Sequence, residues 1–281
     1  MNPYLKRSRI SKALTDAGRA TSFVDAESRL DAIHVTVALG RDQAPTPAGQ
    51  AAALTALATA LKCFGAVTLV ADVDLPLVAS LPVGATIMAA AQELGAEISQ
   101  TFPTETTHSV AIGDATPAMG WQLRCWWDRW LSGTRVHIVE PIGDSRLPLS
   151  GVFAAAIAIR QIFASVLSKR SPSAREVTIS LWEPWAEADA SKPGPTHFEV
   201  PNRLWFLGLG HLGQAFIWNL CLMPQQGERF AVLQDDQIIG EENEPTSLLV
   251  TTADVGKRKT RVSARWLEAC GLANDPSGAE A

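Results

Sequence analysis

The stretch Leu204-Trp205-Phe206-Leu207-Gly208-Leu209-Gly210-His211-Leu212-Gly213 decides how this chain is read. Four apolar residues form a strand, three glycines follow in G-x-G-x-x-G spacing, and Gln214 to Leu222 continues as an apolar helix. In that context each glycine has a separate task. Gly208 permits the tight turn, Gly210 lets backbone amides approach phosphate oxygens, and Gly213 lets helix and strand pack closely. The helix N-terminus then offers unpaired N–H groups and the positive end of its dipole to an anion.

Moving outward, a second strand, Phe230-Ala231-Val232-Leu233, ends at Gln234-Asp235-Asp236. Asp235 and Asp236 stand 22 and 23 residues beyond Gly213, close to the position from which an acidic side chain usually holds a ribose hydroxyl. One of the two is expected to accept that bond; an exposed acidic turn is the alternative. A nucleotide site follows from this arrangement. Whether it takes a dinucleotide or ATP does not follow from the glycines alone. His211 has no nucleophile beside it in the pattern and is expected to face solvent.

The first two-thirds of the chain alternates strands with helices. Ile33 to Leu39 and Ala66 to Asp72 are strands, and between them Pro47 to Phe64 is an Ala/Leu-rich helix with Pro at its start and Gly65 just past its end. Ala85 to Leu94 is helical, His108 to Ile112 and Val136 to Val139 are strands, Leu149 to Leu167 is an apolar buried helix, and Glu176 to Trp182 is a further strand. Such alternation implies a doubly wound, Rossmann-like α/β fold with a mostly parallel sheet. Trp126, Trp127 and Trp130 on the Gly120-to-Leu131 segment have near-helical spacing and are expected to pack against a neighbouring element. The expected domains are residues 1–185, a Pro/Gly-bearing linker over 186–200, and an incomplete second Rossmann-like nucleotide-binding unit over 201–281.

Composition limits the classes. The chain has 281 residues, 47% of them hydrophobic and 19% charged, with a net charge of −5; this excludes a disordered or collagen-like protein and gives no electrostatic reason to expect nucleic-acid binding. From Thr196 onward there are 7 Lys+Arg against 11 Asp+Glu, so the last 86 residues carry most of the negative charge. The basic cluster Lys6-Arg7-Arg9-Lys12 is expected to be a solvated helix face. The longest apolar run, Gly151 to Ile159, is closed by Arg160 and is shorter than a membrane span needs, and no leader pattern opens the chain, so no membrane contact and a cytoplasmic location are expected. Cys63, Cys125, Cys221 and Cys270 form no C-x-x-C pair, which leaves no expected metal site. Cys63 and Cys221 are expected to be buried in helices, and Cys270 is the one candidate for a reactive thiol.

The order beyond Asp236 resembles the ThiF/MoeB/HesA family of ubiquitin-activating-type adenylyltransferases. The residues that carry the resemblance are the glycine turn, Asp236 closing the second strand, Asn243 in the loop after it, and Lys259 in the Gly256-to-Lys259 turn that opens the next helix. The resemblance implies ATP as cofactor with magnesium, Gly208, Gly210, Gly213 and Asp236 as nucleotide-binding residues, and Lys259 and Asn243 as catalytic residues. It implies adenylation of the C-terminal carboxylate of a ubiquitin-like or sulfur-carrier protein, a homodimer or an internal pseudo-dimer, and Arg7 or Arg9 as a nucleotide contact. Thr246 stands where the family usually has arginine, and the family's magnesium-binding aspartate has no counterpart before Ala281. The first half resembles an inactive copy of the same domain, with Gly40-Arg41-Asp42 where a glycine fingerprint would be. An NAD(P)-dependent oxidoreductase and a non-catalytic scaffold are the rival readings.

Overall fold

Five of the six residues of β1 (His34–Leu39) are buried because it lies in the middle of a sheet. It pairs in parallel with β2 (Ala66–Ala71) on one side and β4 (His108–Ile112) on the other. Outside β2 lies β3 (Glu97–Ser99), also parallel, and outside β4 lies β5 (Trp121–Asp128), again parallel. The last two strands, β6 (Leu131–Arg135) and β7 (Val177–Ser180), are antiparallel, giving the order β3-β2-β1-β4-β5-β6-β7. This computed structural model describes residues 7–116, 121–136, 141–168, 174–197, 199–224 and 227–275.

The sheet is therefore mixed, not uniformly parallel. The physical reason is the two-residue turn Arg129-Trp130, with Arg129 at φ +51°. So short a connection can join only antiparallel neighbours. It also corrects the helical reading of residues 120–131. Leu123, Cys125 and Trp127 are buried at strand spacing, and Arg124 between them is buried too, its guanidinium donating to the carbonyls of Gly113 and Ala115. The strand expected at Val136 to Val139 lies mostly outside the described residues.

Helices α1 (Ser8–Asp16), α2 (Phe23–Asp31), α3 (Pro47–Cys63), α4 (Ile87–Leu94) and α5 (Pro148–Leu167) complete this part of the chain. Thr46 caps α3 by accepting the Gly49 N–H at 3.0 Å, with Pro47 in the first turn. The alanines of α3 are explained by α5: the two helices approach so closely that a Cβ on Gly151 would collide with the Ala48 carbonyl. Arg160 lies inside α5 and does not close it. At 20 residues and a mean hydropathy of 1.7, α5 is the one helix among the described residues long and apolar enough to cross a membrane by length and composition. Here it packs on α3, β5 and β6.

The chain reverses direction across the sheet between β1 and β4, the position at which open α/β sheets hold their ligands. Here that position is occupied by an interlock. Asp114 N–H donates to Asp42 Oδ1 at 2.8 Å, and Asp42 N–H donates to Asp114 Oδ1 at 3.4 Å. Gly40 and Gly113 make room for it, since a Cβ on either would strike the opposing aspartate.

A second, three-stranded parallel sheet follows, in the order β10-β9-β8. It is built from β8 (Arg203–Leu207), α6 (His211–Leu222), β9 (Phe230–Gln234), α7 (Lys259–Ala269) and β10 (Ala273–Asp275). The rings of Trp218 in α6 and Trp266 in α7 meet with centroids 5.5 Å apart. By its contacts the chain forms two units: the first holds Ser11–Val78 and Val83–Thr196, the second His197–Ala281 with Met1–Ile10 and Ala79–Pro82. The Pro-bearing segment around residues 186–196 thus falls within the first unit, where Trp130 Nε1 donates to the Pro195 carbonyl at 2.8 Å.

Candidate functional site

The site grows from the end of β8. Gly208 adopts φ +85°, a left-handed conformation that other residues rarely adopt, and its N–H donates to the Gln234 carbonyl at 2.8 Å. A Cβ on Gly213 would collide with the Gly208 carbonyl, so the third glycine is required by the close turn. Gly210 is the N-cap of α6, and no side chain caps that end; its first amides are left for a ligand or water.

Beside this helix end lies a cavity of about 580 Å³, wholly within the second unit. Its lining includes Gly210, His211, Asp236, Asn243, Lys259 and Arg9. The paired aspartates divide their work. Asp235 spends both carboxylate oxygens on backbone, accepting the N–H of Leu209 at 2.7 Å and that of Gln237 at 2.8 Å. Asp236 is exposed and lines the cavity.

Lys259 reaches the cavity through a short antiparallel contact that no single motif reveals. After β9, Ile239 and residues 256–257 exchange bonds: Ile239 N–H to Lys257 O and Gly256 N–H to Ile239 O, both 2.9 Å. Lys259 N–H then donates to Gln237 O at 3.1 Å, which places the first residue of α7 against the end of β9. The side chain is 6% exposed, and its Nζ donates to Gln237 Oε1 at 2.5 Å. Two neighbouring cations are engaged otherwise. Asp254, fully buried, accepts from Lys257 at 2.9 Å and from Arg265 at 3.2 and 3.3 Å, and also from Thr251. Burial pushes the Asp254 carboxyl up, but the bonds from Lys257 and Thr251 and the charge of Arg265 outweigh it and hold it at about 2. Lys259, by contrast, rests on the neutral amide of Gln237.

Asn243 lies in the 3₁₀ turn Glu241–Thr246, where its Oδ1 accepts the Gly240 N–H at 2.9 Å. That bond orients the amide at the cavity wall. Several contributors were not assigned from sequence. Glu242, Ile238, Ser247 and Gln237 line the cavity, and Thr246, the departure from the arginine pattern, lines it too. Buried Gln214 bridges the site from behind, donating to Leu209 O and accepting the Leu249 N–H, both at 3.1 Å. The expectation of a solvated basic face near the N-terminus is corrected at Arg7, which is 2% exposed; Arg9 and Lys12 are exposed, Arg9 on the cavity. His211 is exposed as expected, but on the cavity.

Among the described residues, no three His, Cys, Asp or Glu side chains are grouped to hold a metal ion. Cys270 is not among the residues that line the cavity. It is 4% exposed, and its Sγ lies 2.8 Å from Cys221 Sγ.

Comparison with known proteins supplies the family. Residues 34–181, more than half of the chain, match the BilD N-terminal domain, and residues 200–276 match the BilD C-terminal domain. The chain belongs to the BilD family. The Bacterial E1-like protein BilD of Collimonas sp. (strain OK412) is 30% identical over 277 residues, covering 94% of this chain but 59% of the relative. The chain thus spans about three-fifths of that BilD protein. These matches correct the ThiF/MoeB/HesA assignment. The glycine turn, the acidic strand end and the helix-opening lysine meet general demands of phosphate and ribose binding, so they do not separate one family of such folds from another. The Collimonas relative is named as E1-like.

Proposed function

We propose that this BilD-family chain is an E1-like protein that binds ATP in the cavity of its second unit and adenylates the C-terminal carboxylate of a ubiquitin-like or sulfur-carrier partner. The observation that carries the reading is that Lys259 and Arg9 line one cavity with Gly210 at the N-terminus of α6 and with Asp236. Cationic side chains and a helix N-terminus suit a polyphosphate, and an exposed carboxylate at the end of the second strand suits a ribose hydroxyl. In this reading β8, α6 and β9 are a Rossmann-like nucleotide unit.

In the reaction, a carboxylate oxygen of the partner attacks the α-phosphorus. The bond to the bridging oxygen breaks, and pyrophosphate leaves with the electron pair. Lys259 and Arg9 stabilise the negative charge that develops on the phosphoryl oxygens. Gln237 holds Lys259 without neutralising it, and Asn243 orients a polar amide toward the same space. Magnesium would be held by the phosphates with Asp236 or Glu242 at most, the usual pattern for that ion.

Thermal unfolding with ATP and magnesium, NAD(H) or NADP(H) tests the ligand. ATP at a hundred times its Kd should stabilise the protein by about 2.7 kcal/mol, and Lys259→Ala should abolish most of that. Stabilisation by NAD(H) alone overturns the reading in favour of an oxidoreductase; no shift with any nucleotide favours a scaffold. Pyrophosphate exchange dependent on a ubiquitin-like protein tests the chemistry.

A further inference from the structure

Parallel sheets ordinarily carry helices on both faces. Among the described residues, the three-stranded sheet of the second unit has helices for one. Its crossovers advance in a single direction, from β8 to β9 to β10, and right-handed connections therefore put α6 and α7 on the same side. Ala231 and Leu233, the alternate residues of β9, are fully buried.

The opposite side presents Trp205, Leu207 and Phe230 to solvent, with Arg203, Gln234 and Asp275 among them. The register aligns Arg203 with Phe230 and Ala273, Trp205 with Val232 and Asp275, and Leu207 with Gln234. Trp205 is 68% exposed, Leu207 73% and Phe230 40%. The indole of Trp205 donates to Gln234 Oε1 at 3.2 Å, across the β8–β9 seam. The outer edge of β8 pairs with no strand among the described residues.

Both deficits call for the same occupant. The open edge needs a strand, and the bare face needs a helix. A strand added parallel to β8 is reached by a crossover in the opposite direction, and the right-handed rule then lays its helix on the Trp205 side. A second copy of the chain meets one need only. Pairing β8 edge to edge about a two-fold axis leaves the apolar face uncovered, and stacking face on face leaves both edges open. Polypeptide for the purpose exists in the family, since 59% of the Collimonas relative is covered by the match and the rest lies outside it.

We infer that the face of Trp205, Leu207 and Phe230, with the open edge of β8, is the docking site for a further strand-and-helix segment of the polypeptide. The strand lies parallel to β8, and the helix turns an apolar stripe onto Trp205 and Leu207.

Hydrogen exchange read peptide by peptide tests it, comparing the 281-residue chain with the product of the same gene expressed from its own start codon to its own stop codon. The gene product should be longer, and its amides in 203–207 should exchange about tenfold more slowly or better. Trp205→Glu and Leu207→Lys in that product should each remove this protection, with α6 protection unchanged as the folding control. A gene product no longer than this chain overturns the proposal. So does a longer one whose 203–207 amides exchange as fast as in the 281-residue chain. Protection that appears in the shorter chain and rises with concentration, together with a dimeric mass in sedimentation, assigns the face to a second copy and overturns it as well. None of these outcomes involves ATP, so this proposal and the nucleotide reading fail separately.

Discussion

One oxygen of Asp235 holds the Leu209 N–H at 2.7 Å while the other holds the Gln237 N–H. A single side chain thereby ties the glycine turn to the strand end that carries Asp236. Asp235→Ala leaves both amides without their acceptor and is expected to lower the stability of the second unit by about 1–3 kcal/mol. Asp236→Ala, at an exposed position, is expected to change it by less than about 0.5 kcal/mol. Urea unfolding of the two variants checks the contrast; equal losses would show that the two aspartates do not divide their roles in this way.

Acid should destabilise the chain in two steps. Burial holds the His108 imidazole at about 4 against an ordinary 6.5, so between those values the unfolded chain binds a proton that the folded chain refuses. Stability therefore falls as pH drops from 6.5 through 4, and this loss is complete below. Asp254 is depressed from 3.8 to about 2. Its contribution is present above 3.8 and is lost as pH falls through 2, amounting to up to about 2 kcal/mol. Urea midpoints at closely spaced pH should show both limbs, with His108→Gln removing the upper and Asp254→Asn reducing the lower, to which Asp144, held at about 2 by its bond from Arg146, also contributes. An upper limb unchanged by His108→Gln, or a lower limb unchanged in size by Asp254→Asn, would place the titrating groups elsewhere.

Gly151→Ala should be costly although it adds one methyl group. The new Cβ would meet the Ala48 carbonyl across the α3–α5 contact, and overpacking of this kind costs about 1–3 kcal/mol. Calorimetry of Gly151→Ala beside Ala156→Gly, a change in the same helix at an exposed position, separates overpacking from ordinary helix propensity. The α3–α5 approach is looser than described if the Gly151→Ala variant is as stable as the parent.

Thiol titration reports on burial. Cys125, Cys221 and Cys270 are buried, and Cys63 is part-exposed. Burial pushes the Cys125 thiol up to about 12, and the bond with Cys270 together with burial raises that of Cys221. A disulfide reagent should modify Cys63 in the native protein and the other three only after unfolding. Rapid modification of Cys270 in the native chain would return it to the list of reactive groups.

Much of this fold was legible because its signals are local. Gly65 past the end of α3, Pro148 at the start of α5 and the Gly208-to-Gly213 turn each punctuate an element within a few residues. β5 was not legible, because Arg124 is buried in it and the tryptophans at 126, 127 and 130 happen to fall at helical intervals. What brings Arg124 inside is a pair of carbonyls on the Gly113 turn, invisible to periodicity. In the site, Asp236, Asn243 and Lys259 line one cavity. Arg9 lies more than two hundred residues away in the chain, where no spacing rule reaches; only the family resemblance pointed to Arg7 or Arg9. Gln237 is unmarked in the sequence because an amide beside two aspartates carries no signal of its own; its role comes from the strand contact that presents Lys259.

The interlock of Asp42 and Asp114 has a consequence for counting. With each aspartate bound to the other's backbone N–H, the first unit supplies from its own side chains the anion that its sheet reversal would otherwise attract from solution. It is a lock already holding its key. A nucleotide titration of this chain should therefore saturate at one equivalent, and whatever sensitivity it shows to phosphate analogues reports the second unit alone.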